Sequence, residues 1–381
     1  MIALSLFLAI VLAFLVIRLL YWRMDLNKLT GTVSFSAPRA VEGSKLVLTT
    51  VLTNTMWLPM PWVAVKLKVS MHLIFADMEN ANVTDYFYRH DLYNMLMRQR
   101  ITRRLSFVCG KRGYYHISHL DVTAFDILME SKNAAKIKCN ARLTVYPSYL
   151  PVPEVDNICA QIYGHLRARN IIHPDPFSFR GIREYTPGDP LKAINFKASA
   201  KAQDLMVNLW EHMNARQVIL LFNLQRHNRW HNEVLDEYAI KLVASLAQRL
   251  INDNIPVRFI TNGQKEKTDD ELPYAESTVI TEGVGDIQLE RILEALAHID
   301  LAQTDVSPFS EILKSTAEDY KYELEYWLIS TYHGQDLEEE YRKLAAQGVR
   351  TVWILPRSTG VRLSDDEITL SKEIREQVIL L

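Results

Sequence analysis

The chain has 381 residues, which is enough for two or three domains at about 100–200 residues each. Hydrophobic residues make up 48% and charged residues 23%, a composition typical of a globular chain with a substantial core. Lys and Arg total 43 against 45 Asp and Glu, and this balance argues against a nucleic-acid-binding protein. Three cysteines without a paired-cysteine motif indicate neither a disulfide framework nor a zinc ribbon.

The N-terminal segment is apolar. Residues 2–17 are apolar except for Ser5, and the run continues past Arg18 to Trp22. As one helix it would extend about 33 Å, comparable to the hydrocarbon core of a bilayer at about 30 Å. Residues 1–23 are therefore predicted to be a transmembrane anchor that contacts the lipid bilayer through residues 1–22. A cleaved signal peptide is the alternative, but the segment lacks a basic start and a small-residue cleavage site.

Positive charges follow this segment. Arg18, Arg23 and Lys28 lie on its C-terminal side. Because positive flanks stay on the cytoplasmic side, the pattern predicts a single-pass protein of the cytoplasmic (inner) membrane with its remaining domains facing the cytosol.

Residues 24–150 have strand character. Residues 32–36 and 62–69 alternate between apolar and polar, and residues 46–52 are rich in β-branched side chains. Many short strands without a long helical pattern predict an Ig-like β-sandwich over 24–150. Within it, residues 91–99 are predicted to be a helical insertion.

Residues 151–215 form a separate segment, and residues 216–381 alternate between strand and helix. The apolar run 218–222 is typical of a strand buried on both faces, and residues 233–252 have apolar residues at helical spacing. Further strands are predicted over 255–260, 325–329 and 349–355, with helices over 287–298 and 335–346. This alternation predicts an α/β domain with a mostly parallel sheet.

The middle segment contains a long spaced motif. It comprises Phe179–Asp189, then Ile194–Lys201, then Leu205–Val207. The motif resembles the bacterial family called domain of unknown function fifty-eight, whose pattern is F-R-G-x-R-x-Y-x-P-G-D, then I-x-W-x-x-S-A-R, then L-x-V. Weaker similarities are Lys111–Tyr115 with Asp126, and Val145–Pro147. The chain departs from the pattern at Phe196, Lys201 and Pro190–Lys192, and it has one hydrophobic segment where members often have two.

The resemblance implies that residues 216–381 form a von Willebrand A-like domain. Such domains often bind Mg²⁺ through Asp-x-Ser-x-Ser after the first strand, because carboxylate and hydroxyl oxygens suit a hard cation. Here Asn223, Gln225 and His227 occupy those positions and supply no negative charge. We therefore expect a degenerate site without metal, and no cofactor. His227 and His231 are four residues apart but lie in a polar loop rather than on a predicted helix.

Basic residues recur in the sandwich region at Arg98, Arg100, Arg103, Arg104, Lys111 and Arg112. They fit a solvated strand face, and contact with anionic lipid headgroups is the alternative. The chain has no phosphate-binding loop and no G-x-S-x-G motif. No catalytic residue is therefore predicted.

The candidate binding residues lie in the central motif. They are Arg180, Gly181, Arg183, Tyr185, Pro187, Gly188, Asp189 and Asn195. Pro-Gly-Asp is a turn sequence, because Pro fixes φ and Gly adopts positive φ. One interpretation is structural, with Arg180 or Arg183 paired to Glu184 or Asp189. The other is a surface that binds a partner or an anion.

Taken together, the sequence predicts a membrane-anchored α+β multidomain protein that is not an enzyme. The resemblance implies an adaptor that works with a MoxR-type AAA+ ATPase in the assembly or maturation of protein complexes. The alternative is a hydrolase whose site the sequence does not reveal.

Overall fold

A computed structural model describes most of the chain. The described residues are 2–22, 28–125, 132–168, 174–187, 194–212, 217–226, 233–263, 278–302, 306–318, 324–356 and 378–380. They divide into two compact units, Met1–Ser148 and Tyr149–Leu381.

Unit 1 begins with helix α1, Ile2–Trp22, on which the described apolar side chains are exposed, among them Leu6, Phe7 and Leu12. Over the described residues, no helix is both long enough and continuously apolar enough to cross a bilayer, which takes about 20 such residues. The predicted transmembrane anchor over 1–23 is therefore wrong. The single-pass topology and the inner-membrane localisation depended on it and are wrong as well, and the bilayer contact predicted for residues 1–22 has no support in the structure.

The rest of unit 1, where it is described, consists of strands and the turns between them. They are β1 Leu29–Phe35, β2 Arg39–Val41, β3 Lys45–Asn54, β4 Met60–Ser70, β5 Leu73–Phe75, β6 Ala81–Val83, β7 Tyr86–Met95, β8 Arg100–Cys109, β9 Gly113–Phe125 and β10 Lys132–Tyr146. One sheet has the order β1-β3-β8-β5 and the other the order β2-β10-β9-β4-β7-β6. Alternate side chains of both sheets, such as Leu48, Leu52, Val63 and Val122, are buried in one apolar core.

The helical insertion predicted over residues 91–99 is wrong. Most of this stretch belongs to β7, which pairs antiparallel with β4 from Met60↔Met95 to Ser70↔Tyr86. Along β7, Phe87, Arg89 and Asp91 point inward and their neighbours outward, the period of a strand. The polar identity of two inward side chains conceals that period in the sequence.

The described residues of unit 2 form two sheets. Its elements are α2 Val152–Ala168, β11 Pro174–Glu184, α3 Phe196–Ala202, β12 Met206–His212, β13 Gln217–Asn223, α4 Glu233–Asn252, β14 Val257–Thr261, β15 Thr278–Gly283, α5 Gly285–His298, α6 Phe309–Glu318, β16 Leu324–Ser330, α7 Gln335–Ala346, β17 Arg350–Leu355 and β18 Val378–Leu380. Strands β11 and β12 form a two-stranded ribbon, and the larger sheet has the order β15-β14-β13-β16-β17-β18. Neighbouring strands of the larger sheet are parallel, except that β14 and β15 pair antiparallel.

The periodicity of the sequence accounts for the main elements of this sheet. β13 is buried from Val218 to Asn223, and α4 has the predicted bounds. The described chain is thus a strand-rich unit followed by an α/β unit, which corrects the membrane-anchored fold class. The von Willebrand A-like assignment of residues 216–381 stays a prediction.

Candidate functional site

The strand order places a crevice position at the carboxyl edge of the large sheet. The chain passes from β13 to β14 on one side, whereas β16, β17 and β18 lie on the other side of β13. In open α/β sheets, ligands bind outside the carboxyl ends of the strands at such a reversal of strand order. The candidate site therefore lies where β13 and β16 end.

Four buried polar residues mark these strand ends: Asn223 on β13, Thr261 and Asn262 at the end of β14, and Ser330 on β16. Asn223 Nδ2 donates to Ser330 Oγ at 3.0 Å, which bridges the two strands at the reversal point. Asn262 Nδ2 donates to Asn223 Oδ1 at 3.0 Å. The side chains of Asn223, Asn262 and Ser330 thus form one connected set, which we call the strand-end cluster.

The strand-end cluster also holds the loops that follow the strands. Asn223 Oδ1 accepts from the backbone N–H of Gln225 at 2.8 Å, and Asn262 Oδ1 accepts from that of Leu224 at 2.9 Å. Gln225 Oε1 accepts from the N–H of Phe309 at the start of α6, at 3.1 Å. The amide groups at two of the degenerate metal positions therefore support loops.

The third degenerate position, His227, and its neighbour His231 lie outside the described residues. Across those that are described, no group of three or more His, Cys, Asp or Glu side chains is placed to hold a metal ion.

Two further contacts border the strand-end cluster. Arg226 donates to the Leu301 carbonyl at 2.6 Å and lies 3.5 Å from Asp236 Oδ2. Tyr332 donates from its hydroxyl to Asp336 Oδ1 at 2.7 Å, and burial, together with that carboxylate, raises the pKa of Tyr332 to about 12. A phenol with this pKa stays protonated at neutral pH and would be a hydrogen-bond donor rather than a base.

The central motif forms the ribbon of β11 and β12 with α3 between them. Asn195 is the N-cap of α3, and its Oδ1 accepts from the Ala198 N–H at 2.9 Å. Its Nδ2 donates to Asn208 Oδ1 on β12 at 2.7 Å. Ser199 Oγ donates to the Asn195 carbonyl and accepts from the Met206 N–H, at 2.8 and 2.9 Å. These bonds fix α3 against β12.

The remaining predicted binding residues lie along β11 and its end. Gly181 pairs with Leu209 and Arg183 with Val207. Arg183 donates to the Glu184 carbonyl at 2.9 Å, and Thr186 Oγ1 lies 3.4 Å from the same nitrogen.

Beyond β11, the Tyr185 N–H donates to the Leu205 carbonyl at 2.7 Å, and Pro187 is exposed. Arg180 belongs to β11, but its side chain, together with Gly188 and Asp189, lies outside what the structure describes. The pairing predicted for Asp189 therefore stays a prediction.

The ribbon also presents apolar side chains that the sequence did not single out as functional. Phe196, the first residue of α3, is 76% exposed, and Ile182 and Leu205 are exposed as well. Ile182 lies opposite Asn208 in the ribbon. Because Asn208 bonds Asn195, Ile182 and Phe196 flank one hydrogen-bonded bridge. The other residues of α3 are Ala, Ser and Lys, so the single aromatic residue was the feature of the sequence that could have indicated an exposed contact residue.

Unit 1 contains a buried charged cluster. Arg89 is fully buried, and its Nε lies 3.0 Å from both Asp91 oxygens. It also donates to the Asp77 carbonyl and carboxylate, each at 2.9 Å. Arg103 joins this cluster at 3.2 Å from Asp91, and Arg112 is buried. The predicted basic stretch is therefore not one solvated face, since Arg103 contacts Asp91 and Arg112 is buried.

No protein-family model matches the chain, and no curated protein does. Solved structures similar to it include a non-cellulosomal cohesin from the hyperthermophilic archaeon Archaeoglobus fulgidus, at 14% identity over 30% of this chain and 91% of that one, with a TM-score of 0.22. A CARDB domain from Pyrococcus furiosus, solved with di-metal ions, matches at 10% identity over 32% of this chain and 97% of that one, with a TM-score of 0.21. The bacterial hydrophobin BslA matches at 9% identity over 32% of this chain and 97% of that one, with a TM-score of 0.22. Similarity at this level assigns no function, and the resemblance to the family of the central motif stays a prediction.

Proposed function

We propose that the protein is a non-enzymatic adaptor that binds a MoxR-type AAA+ ATPase through the ribbon of β11, β12 and α3. The observation that carries this proposal is the exposure of Phe196 at the start of a hydrogen-bonded helix. The identity of the partner comes from the resemblance of the central motif.

Rigid presentation is what makes Phe196 suitable as a contact residue. The cap bond from Asn195 and the two bonds of Ser199 fix the backbone that carries the ring. A preorganised aromatic residue loses little conformational entropy on binding, and buried aromatic residues contribute much of the energy of protein interfaces. Exposed Ile182 and Leu205 extend the apolar surface of the ribbon.

The polar side chains described at the carboxyl edge of the large sheet have structural roles. Asn223, Asn262 and Ser330 bond one another and the loops that follow them. Neutral amides and a hydroxyl in this arrangement stabilise structure, whereas hydrolysis needs an activated nucleophile or a general base.

Binding of the purified full chain to a purified MoxR-type ATPase, measured by calorimetry, tests the proposal. We expect Phe196→Ser to weaken binding at least tenfold, or about 1.4 kcal/mol, while the melting temperature stays unchanged. Ile287→Ser is the matched control, because Ile287 is 70% exposed on α5 of the same unit, and it should bind as the unaltered chain does.

Arg183→Ala distinguishes a structural role from direct contact within the same surface. Because Arg183 bonds the Glu184 carbonyl, its loss should lower stability and binding together.

Two results would contradict the proposal. If Phe196→Ser binds the ATPase as tightly as the unaltered chain does, the ribbon is not the adaptor surface. Turnover of ester, phosphate or peptide substrates by the chain alone would contradict the non-enzymatic role.

A further inference from the structure

A second apolar surface lies at one end of the β-sandwich of unit 1. The turn between β3 and β4 is residues 55–59, and the turn between β7 and β8 is residues 96–99. Trp57, Leu96 and Met97 on these turns are 61%, 62% and 60% exposed. We call the two turns together with Lys28 the sandwich tip.

The two turns form one hydrogen-bonded unit. Buried Asn54 donates from Nδ2 to the carbonyls of Leu58 and Leu96, both at 3.0 Å, and so joins the turns. The Arg98 N–H donates to the Met56 carbonyl at 3.1 Å. Trp57 follows Met56 in the chain, and Met97 precedes Arg98. Because Met56 and Arg98 are bonded to each other, Trp57 and Met97 lie on the same tip.

The backbone of the tip is held in an unfavourable conformation. Arg98 has φ 52°, in the left-handed region that costs a non-glycine residue free energy. Such conformations persist where the surrounding bonds determine them and are frequent at binding sites. The apolar side chains are thus presented by a preorganised backbone.

The charged residues described on the sandwich tip and next to it in the chain are basic. Lys28, Arg98 and Arg100 are exposed, and the Lys28 carbonyl accepts from the Thr55 N–H at 3.1 Å, which places Lys28 beside the turn. Neither turn contains a carboxylate: their sequences are Thr-Met-Trp-Leu-Pro and Leu-Met-Arg-Gln. Electrostatic complementarity therefore favours an acidic partner.

We propose that the sandwich tip is a docking surface for a protein partner that presents an apolar groove bordered by Asp and Glu. Trp and Arg are the residue types most enriched among the strongest contacts of protein interfaces, and both stand on the tip. Because the two turns are already ordered in the free chain, docking into a groove of fixed shape costs them little further conformational entropy. This surface is in unit 1 and is independent of the adaptor surface proposed above.

Selection of peptides from a displayed random library on the immobilised full chain tests this proposal. We expect the selected peptides to combine large apolar residues with flanking Asp or Glu. A synthetic copy should bind Trp57→Ser and Met97→Ser at least tenfold more weakly, and its binding should weaken as salt is raised.

Two variants make the test specific. Arg98→Gly removes the charge while suiting the positive φ, so it should weaken peptide binding without lowering the melting temperature. Met71→Ser is the matched control, since Met71 is exposed beyond the opposite end of β4, and it should bind as the unaltered chain does.

Three results would overturn the proposal. One is the selection of peptides without acidic residues, and another is equal loss of binding in Met71→Ser. The third is a selection that yields no peptide at all. In that case, flotation of the chain with phosphatidylserine vesicles that depends on Trp57 would assign the tip to lipid instead.

Discussion

Asn223 shows how one side chain can support several parts of a fold. It occupies a strand end, accepts two hydrogen bonds at Oδ1 and donates one to Ser330. At the corresponding positions of the implied domain type, a carboxylate or hydroxyl would face a cation. Here the same position closes the carboxyl edge by linking β13, β14 and β16.

We predict that Asn223→Ala lowers the free energy of unfolding by about 1–3 kcal/mol, because its buried partners would lose their hydrogen bonds. Urea denaturation measures the change. Asn157→Ala, on the exposed face of α2, should stay within about 0.5 kcal/mol of the unaltered chain. Equal stability of Asn223→Ala and the unaltered chain would mean that the cluster contributes nothing to folding.

The Asp77 carboxyl makes the stability of the fold depend on pH. The backbone N–H of Glu79 and the guanidinium of Arg89 hold the pKa of the Asp77 carboxyl below its ordinary value. The pKa of Asp77 is lower in the folded chain than in the unfolded chain. Its contribution to stability is therefore present above the unfolded pKa and is lost as the pH falls through the folded pKa.

Asp77→Asn should therefore reduce the loss of stability on acidification below about pH 4. The urea midpoint measured at pH 7, 5, 4 and 3 for both proteins tests this. An Asp77→Asn midpoint that declines with acid as steeply as that of the unaltered chain would refute the assignment.

At the scale of the element, helix α7 ends by a backbone conformation rather than by packing. Gly348 follows its C-cap with φ 78°, and a Cβ there would meet nothing within 4 Å. Gly164 in the middle of α2 also has open space for a Cβ but no positive φ. The two glycines therefore isolate the effect of backbone conformation from that of space.

We predict opposite signs for the same substitution. Gly348→Ala should destabilise by about 1–2 kcal/mol because it places an L-residue in the left-handed region. Gly164→Ala should stabilise by about 0.5–1 kcal/mol because alanine favours the helix. Thermal denaturation of both variants measures the signs, and the same sign for both would show that φ does not control the first site.

The whole molecule comprises two units, each with its own buried core. Compact units of this size usually unfold cooperatively, and each is expected to give its own transition in calorimetry. Leu52 is buried in unit 1 and Leu246 in unit 2.

Leu52→Ala should lower the midpoint of one transition and Leu246→Ala that of the other, since each removes about 2–5 kcal/mol from its own core. A single transition that both variants shift equally would show that the chain unfolds as one cooperative body.

The sequence by itself determined the elements whose burial repeats at a regular period. The apolar run of β13 and the helical spacing of α4 were sufficient, because burial on one or both faces imposes that pattern locally. It identified Asn195 only as a residue of the central motif and did not predict that Asn195 caps α3. It misassigned β7, because inward-facing Arg89 and Asp91 interrupt the apolar alternation.

Only the tertiary structure decided which side chains meet. Asn223 and Ser330 are 107 residues apart in the chain, and Asn223 and Asn262 are 39 apart. Trp57 and Met97 share a tip because Asn54 joins two turns. These contacts depend on strand order and register, which are fixed by packing over the whole core and leave no local period in the sequence.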